Sequence, residues 1–275
     1  MSATTDSEIE AKNPLISVVI PCFNSEKFIR ESIKSVLNQT YKNIQIIVID
    51  DGSDDSTPSI LQEFSGFLTV LNQKNSGAGS ARNAGLKASN GEYIAFLDSD
   101  DYWEPDKISK QLNLMLHEKL DLVYCGGKTI EKNLNETILI PQFSGDCYKY
   151  FIRYPTTAII LLGCSSALFR KAILRSSGHF DPAFKGAAED WDFFRRVCKY
   201  AKVGFVDDSL VRYRIHENNV SRRGFIDFYE GNNRAIRKMI KEDSSLNVKT
   251  KARVVLSFYS IMIKSLFKSL LKITK

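Results

Sequence analysis

Apolar positions along the first half of the chain alternate between two periods. Ile16-Ser17-Val18-Val19-Ile20 is a β-branched run closed by Pro21, which reads as a strand buried on both faces. Phe28, Ile29, Ile33, Val36 and Leu37 then fall on one face of a helix. Ile44 to Ile49 reads as a second buried strand, and Ser56 is placed to cap a helix with Pro58 in its first turn. Leu68 to Leu71 predicts a short third strand, Ala81 to Ala88 a helix, and Tyr93 to Leu97 a fourth strand. Pro105 opens another helix through Leu116, and Asp121 to Tyr124 predicts a fifth strand.

Strands and helices in this alternation imply an α/β fold, with a Rossmann-like, mostly parallel sheet and helices on both faces. Ligands of such sheets sit beyond the carboxyl ends of the strands. Three polar clusters fall there: Cys22-Phe23-Asn24, Asp50 to Asp54, and Asp98 to Asp101. From Gly126 to Arg170 the alternation weakens, and a different, mixed layer is expected. Glu189 to Tyr200 then reads as a helix and Leu210 to Ile215 as a strand, and everything beyond Ser221 reads as helical.

The 275 residues allow one or two domains with a sizeable core. The five cysteines form no CxxC pair, so neither a disulfide framework nor a zinc ribbon is indicated, and a reducing compartment is the default. Charge is uneven. From Arg222 onward thirteen Lys and Arg face four Asp and Glu, whereas the rest of the chain is slightly acidic. No nucleic-acid-binding pattern accompanies this excess, so no nucleic-acid partner is expected. Residues 1–14 read as a flexible polar leader without the apolar stretch of a secretion signal.

Asp98-Ser99-Asp100 directly follows a strand, and two carboxylates so spaced can share a hard cation, Mg²⁺ or Mn²⁺, with substrate phosphates. Asp50-Asp51-Gly52-Ser53 ends another strand, where a carboxylate can accept from a ribose hydroxyl or a base N–H, although an ordinary Asp-Gly turn is the commoner case. Neither GxGxxG nor a P-loop is present.

In order, Val18 to Asn24, Val48 to Thr57, Asn75-Ser76-Gly77, Ala81-Arg82-Asn83-Ala84-Gly85, Phe96 to Asp101, Glu189-Asp190 and Tyr213 to Asn218 resemble the motifs of the family-two inverting glycosyltransferases of GT-A fold. The resemblance covers roughly 15–221, leaving 222–275 as a basic helical appendage. It implies transfer of a sugar from a nucleotide-diphosphate sugar, UDP-linked by expectation, to an acceptor hydroxyl with inversion, in polysaccharide, glycolipid or glycoprotein glycan assembly. Pro21, Phe23, Asn24, Asp51, Arg82, Asp98 and Ser99 match the nucleotide-sugar pocket. Asp98, Asp100 and His216 match the metal side, and Asp190 matches the catalytic base. Gly163, Glu189 and Trp191 are expected on the side of a glycan or lipid-linked acceptor. A catalytically silent binding protein of the same fold, or a nucleotidyltransferase, is the alternative.

Val254 to Lys275 has a wide apolar face, with Ser260, Lys264, Lys268 and Lys272 repeating every four residues. Such a helix reads as one lying in the plane of an anionic membrane surface, or as one packed on the protein or in a homodimer. The expected location is cytoplasmic, peripheral on the membrane.

Overall fold

A computed structural model describes residues 13–130, 136–155, 157–160, 162–184, 188–217, 219 and 225–273. The leader apart from 13–14, and Val220 and Ser221 at the expected domain end, lie outside the described residues, as do the side chains of Lys268 and Lys272. The strands are β1 (Ile16–Cys22), β2 (Ile44–Asp50), β3 (Thr69–Asn72), β4 (Tyr93–Phe96), β5 (Tyr102–Trp103), β6 (Leu122–Ile130), β7 (Glu136–Leu139), β8 (Leu168–Arg170) and β9 (Val203–Arg214). The helices are α1 (Ile29–Leu37), α2 (Thr57–Gln62), α3 (Ala78–Ala88), α4 (Lys107–His117), α5 (Tyr148–Arg153), α6 (Gly163–Ser166), α7 (Leu174–Ser177), α8 (Glu189–Cys198), α9 (Phe225–Glu242) and α10 (Val248–Ile273).

One sheet runs β3-β2-β1-β4-β8-β6-β9-β5, with β7 on β6. β1 to β4 are mutually parallel. The parallel character stops there. β8 is inserted antiparallel to both β4 and β6, β5 pairs antiparallel with β9 and β7 with β6, and only β6 with β9 restores a parallel pair. The sheet is therefore more mixed than the alternation of the first half suggests.

Period-two alternation explains the core. Val18, Ile20, Ile46, Val48 and Ala95 point to one face of the sheet, and Val19, Ile47, Ile49, Ile94 and Phe96 to the other. All are fully or almost fully buried. Helix α3 lies close on β1 because Gly85 has no side chain: a Cβ there would stand 2.2 Å from Val19 Cγ1. The helix with Pro58 starts at Thr57, but Ser56 does not cap it with its hydroxyl. The Thr57 N–H donates instead to Asp55 Oδ1 at 2.9 Å.

β1 has β2 on one side and β4 on the other, so the connections leaving their carboxyl ends diverge and open a crevice. The basic C-terminal helices pack on this body. Phe258 of α10 stacks with Tyr229 of α9 at 6.0 Å, and Lys238 of α9 pairs with Asp192 of α8 at 3.0 Å. No helix among the described residues is long and apolar enough to cross a membrane.

Candidate active site

A cavity of about 840 Å³ occupies the crevice. On one flank the turns after β1 and β2 are tied together. Asn24 Nδ2 donates to Asp54 Oδ1 at 2.7 Å, the Asp54 N–H donates back to Asn24 Oδ1 at 2.9 Å, and the Asn24 N–H reaches Ser53 Oγ at 2.9 Å. Asn24 achieves this with a left-handed φ of 48°, a conformation asparagine tolerates better than most residues. Pro21 lines the cavity beside it, and Phe23 stands 47% exposed at the rim. Asp51 also lines the cavity, but its carboxylate is already well occupied. It accepts from Gln73 Nε2 at 2.7 Å and from the N–H groups of Ser76 and Gly77 at 2.9 and 2.8 Å, and so pins the loop leading into α3.

The loop after β4 is built on buried polar contacts. The Asp98 N–H donates to Ser165 Oγ at 3.1 Å, and that hydroxyl donates to Asp101 Oδ2 at 2.7 Å. Asp101, which is almost fully buried, also accepts the Arg214 N–H at 3.2 Å. Ser25 and Ser99 share a hydroxyl–hydroxyl contact of 2.7 Å. Asp101 thus sets the shape of the loop that presents Asp98 and Asp100 to the cavity. Sequence reasoning did not single out Asp101 or Ser165, because their partners are brought together only by the fold.

Arg82 joins the two halves of the site. Its guanidinium is buried, lies 2.6 Å from Asp98 Oδ1 and 3.4 Å from Glu189 Oε1, and sits over the Phe180 ring. Asp100 turns the other way. Its Oδ2 is 3.0 Å from His216 Nε2 and 3.3 Å from Asn219 Nδ2. Burial, with the charge of Asp98 beside it, raises the Asp100 carboxyl above its ordinary value. Of the residues singled out from the sequence, His216 alone does not line the cavity itself; it acts on it through Asp100. Asn219, one residue beyond the Tyr213 to Asn218 motif, is buried here, donates to Asp100, and accepts the His216 N–H.

Helix α8 carries Glu189, Asp190 and Asp192 in its first turn and Arg195 and Arg196 in its last, the charge order a helix dipole favours. Asp190 Oδ1 accepts the Trp191 N–H at 2.7 Å. Its carboxyl is pushed up to about 6, first by burial and then by the charge of Glu189, with Arg82 opposing. Asp190 lies over Gly163, and Ala188 and Leu162 on either side of this contact hold left-handed φ values of 61° and 56°. Non-glycine residues so held cost of order 1–3 kcal/mol each, and they concentrate at functional sites.

The cavity is also lined by Trp191 and Phe194 of α8, by Phe151, Ile159 and Ile160, and by Asp227, Phe228 and Asn232 of α9. These α9 residues belong to the basic C-terminal segment, and charge counting had set that segment apart from the site.

The Asp98-Ser99-Asp100 pattern implies a divalent cation. Among the described residues no three His, Cys, Asp or Glu side chains gather into a cage. A hard cation such as Mg²⁺ needs only one or two protein ligands when phosphates and water complete its shell. The 3.0 Å between His216 Nε2 and Asp100 Oδ2 is about the spacing of adjacent ligands on an octahedral ion with bonds of roughly 2.1 Å. The charge of Asp98 that disfavours ionisation of Asp100 is also offset by a cation. The residues fit such a group, with Asp100 better placed than Asp98, one oxygen of which is held by Arg82.

Residues 17–178 match the family model described as glycosyl transferase family 2. An uncharacterized glycosyltransferase of Rickettsia typhi is 32% identical over 210 residues, covering 74% of this chain and 65% of that protein, so the chain spans just under two thirds of that relative. The Escherichia coli enzyme WfaP, a UDP-Glc:alpha-D-GlcNAc-diphosphoundecaprenol beta-1,3-glucosyltransferase, is 32% identical over 89% of this chain and 92% of its own. Among solved structures, Staphylococcus aureus TarS 1-349 in complex with UDP-GlcNAc shares the fold with a TM-score of 0.71 at 22% identity, covering 89% of this chain and 71% of that one.

Proposed function

The chain belongs to glycosyl transferase family 2, and from that premise we propose that this glycosyltransferase moves a sugar from a nucleotide-diphosphate donor to an acceptor hydroxyl by a single inverting displacement. The observation that carries this reading is the meeting, in one cavity, of the Asp98–Asp100 loop at the end of β4 and Asp190 at the head of α8. The nucleoside lies against Pro21, Phe23, Asn24 and Asp51 on the β1 and β2 flank, and the diphosphate faces Ser99 and Asp100. Asp100 and His216 would hold Mg²⁺ or Mn²⁺, which when bound offsets the charge developing on the departing diphosphate. Asp190 takes the acceptor proton as the hydroxyl attacks. A carboxyl pushed up to about 6 is ionised near neutral pH and still basic enough to be useful. One base and one stabilised leaving group suffice for a single displacement. Arg82 keeps Asp98 and Glu189 fixed relative to each other across the site.

The donor is uridine-linked, as the name of WfaP suggests for that relative, and the acceptor is a glycan or a lipid-linked sugar. A lipid-borne acceptor agrees with the surface of α10. That helix turns Val254, Phe258 and Met262 inward, while Leu256, Tyr259 and Ile263 stay exposed, with Arg253 and Lys264 exposed on the adjoining face. An apolar stripe beside cations suits the cytoplasmic face of an anionic membrane.

The test is a calorimetric screen of sugar nucleotides with and without Mn²⁺. Tight binding of one nucleotide sugar, strengthened by Mn²⁺ and losing that gain in Asp100→Ala, is the expected result. Absence of binding by any nucleotide sugar would overturn the reading.

A further inference from the structure

We propose that the first two turns of α9 form the acceptor subsite, and that what they receive is an uncharged sugar ring rather than a phosphate-bearing group. This rests on the glycosyltransferase reading above and adds the substrate class of its second site. Phe228 and Asn232 stand four residues apart, on the helix face that continues into the buried Ala235, Ile236 and Met239. Farther along, that face is core; at Phe228 and Asn232 it is a wall of the cavity. Asn232 is only 6% exposed, and its Nδ2 donates to the Phe228 carbonyl at 2.7 Å, which fixes the amide.

Trp191 lines the same cavity, held edge to face by Phe151 at 5.4 Å between ring centres. Trp191 is 8% exposed, and its indole N–H has no hydrogen-bond partner among the described residues. A buried donor left unsatisfied is costly, so a ligand oxygen that satisfies it is favoured. Aromatic faces, an amide and an indole N–H together match a pyranose, which has an apolar C–H face and a rim of hydroxyls.

The charge of the lining decides between ligand classes. Glu189, Asp190 and Asp227 all line the cavity, and Arg82 is already engaged by Asp98 and Glu189. Lys238, six residues past Asn232 on the same helix, is paired with Asp181 and Asp192. Among the described residues, a phosphate entering here meets carboxylates, whereas neutral hydroxyls donate to them. The sugar that accepts transfer therefore enters alone, and any phosphate of its carrier stays outside the cavity.

The experiment uses the full chain saturated with UDP and Mn²⁺, with octyl glucoside, octyl N-acetylglucosaminide, octyl galactoside and glycerol phosphate as probes in saturation-transfer NMR. At least one octyl pyranoside should bind and glycerol phosphate should not. Phe228→Ala should weaken pyranoside binding at least tenfold, and Phe228→Tyr should restore it. UDP affinity, titrated in parallel, should be unchanged in both variants, which separates this inference from the donor reading. Unaltered pyranoside binding in a folded Phe228→Ala, no pyranoside binding in the parent chain, or preferential binding of glycerol phosphate would each overturn it. Should Phe228→Ala fail to fold, Asn232→Ser tests the same wall by the same two readouts.

Discussion

The carboxylate of Asp190 and the α-carbon of Gly163 are packed so closely that a methyl group has no room between them: a Cβ on Gly163 would stand 2.6 Å from Asp190 Oδ2. Gly163 also holds a φ of 50°, in the left-handed region. Position 163 is therefore glycine for two reasons, and the more consequential one is to leave space for the Asp190 carboxylate. Gly163→Ala should displace the Asp190 carboxylate and cut transfer by about 10²-fold, the usual cost of a misplacement of order 1 Å. Donor affinity should be nearly unchanged. Steady-state transfer paired with nucleotide titration checks this, and equal losses in both would assign Gly163 to the donor site instead.

The pH profile of transfer follows from the direction of the Asp190 shift. A general base works only when ionised, and this carboxyl is pushed up to about 6. kcat/KM should therefore fall as pH drops through about 6, whereas an ordinary carboxylate would hold its activity down to about pH 4. Asp190→Asn should lower transfer by roughly 10²–10⁴-fold, keep donor binding, and abolish that acid limb. Persistence of the limb in the residual activity would remove Asp190 from the role. Asp192, also in the first turn of α8, is no substitute: it is buried and held by Arg195, Arg196 and Lys238.

Arg82 lowers the Asp190 carboxyl while Glu189 raises it, so removing the arginine should move the acid limb of the pH profile upward. Arg82→Met should also destabilise the fold by about 3 kcal/mol, because it leaves Asp98 and Glu189 without their shared, buried cation. Urea unfolding at pH 7 measures the second effect and a pH–rate profile the first. A variant with parental stability and an unmoved limb would reduce Arg82 to a bystander.

Much of the cavity's β1 and β2 flank was legible because local chemistry writes it. A β-branched run that ends in a polar cluster announces both a strand and the place where ligands gather, and β1, β2 and β4 all obey this. The ARNAG segment was read for its arginine, yet its Gly85 is what lets α3 approach Val19. Short elements escaped. β8 has three residues and β5 two, too few to show a period, and their antiparallel insertion depends on partners tens of residues away. Asn219 escaped because burial is invisible to a motif. The α9 wall was missed because net charge marked 222–275 as one basic unit, whereas Phe228 and Asn232 act by facing the cavity.

The last expectation concerns α10, whose two apolar faces serve different ends. Val254, Phe258 and Met262 are buried, so polar substitution there should unfold the helix from its seat on α9. Leu256 and Ile263 are 72% and 56% exposed, and replacing both by glutamate removes apolar surface and adds negative charge without touching the core. Leu256→Glu combined with Ile263→Glu should therefore leave thermal stability within about 0.5 kcal/mol of the parent, as surface changes usually do. Co-sedimentation with phosphatidylglycerol vesicles at low salt should fall severalfold, and added salt should weaken the parent's binding in the same direction. Transfer to a soluble acceptor should persist, because neither residue lines the cavity. Vesicle binding equal to the parent's would exclude the membrane surface as the partner of this stripe. A simultaneous change from dimer to monomer in sedimentation velocity would instead assign the stripe to a second copy of the chain.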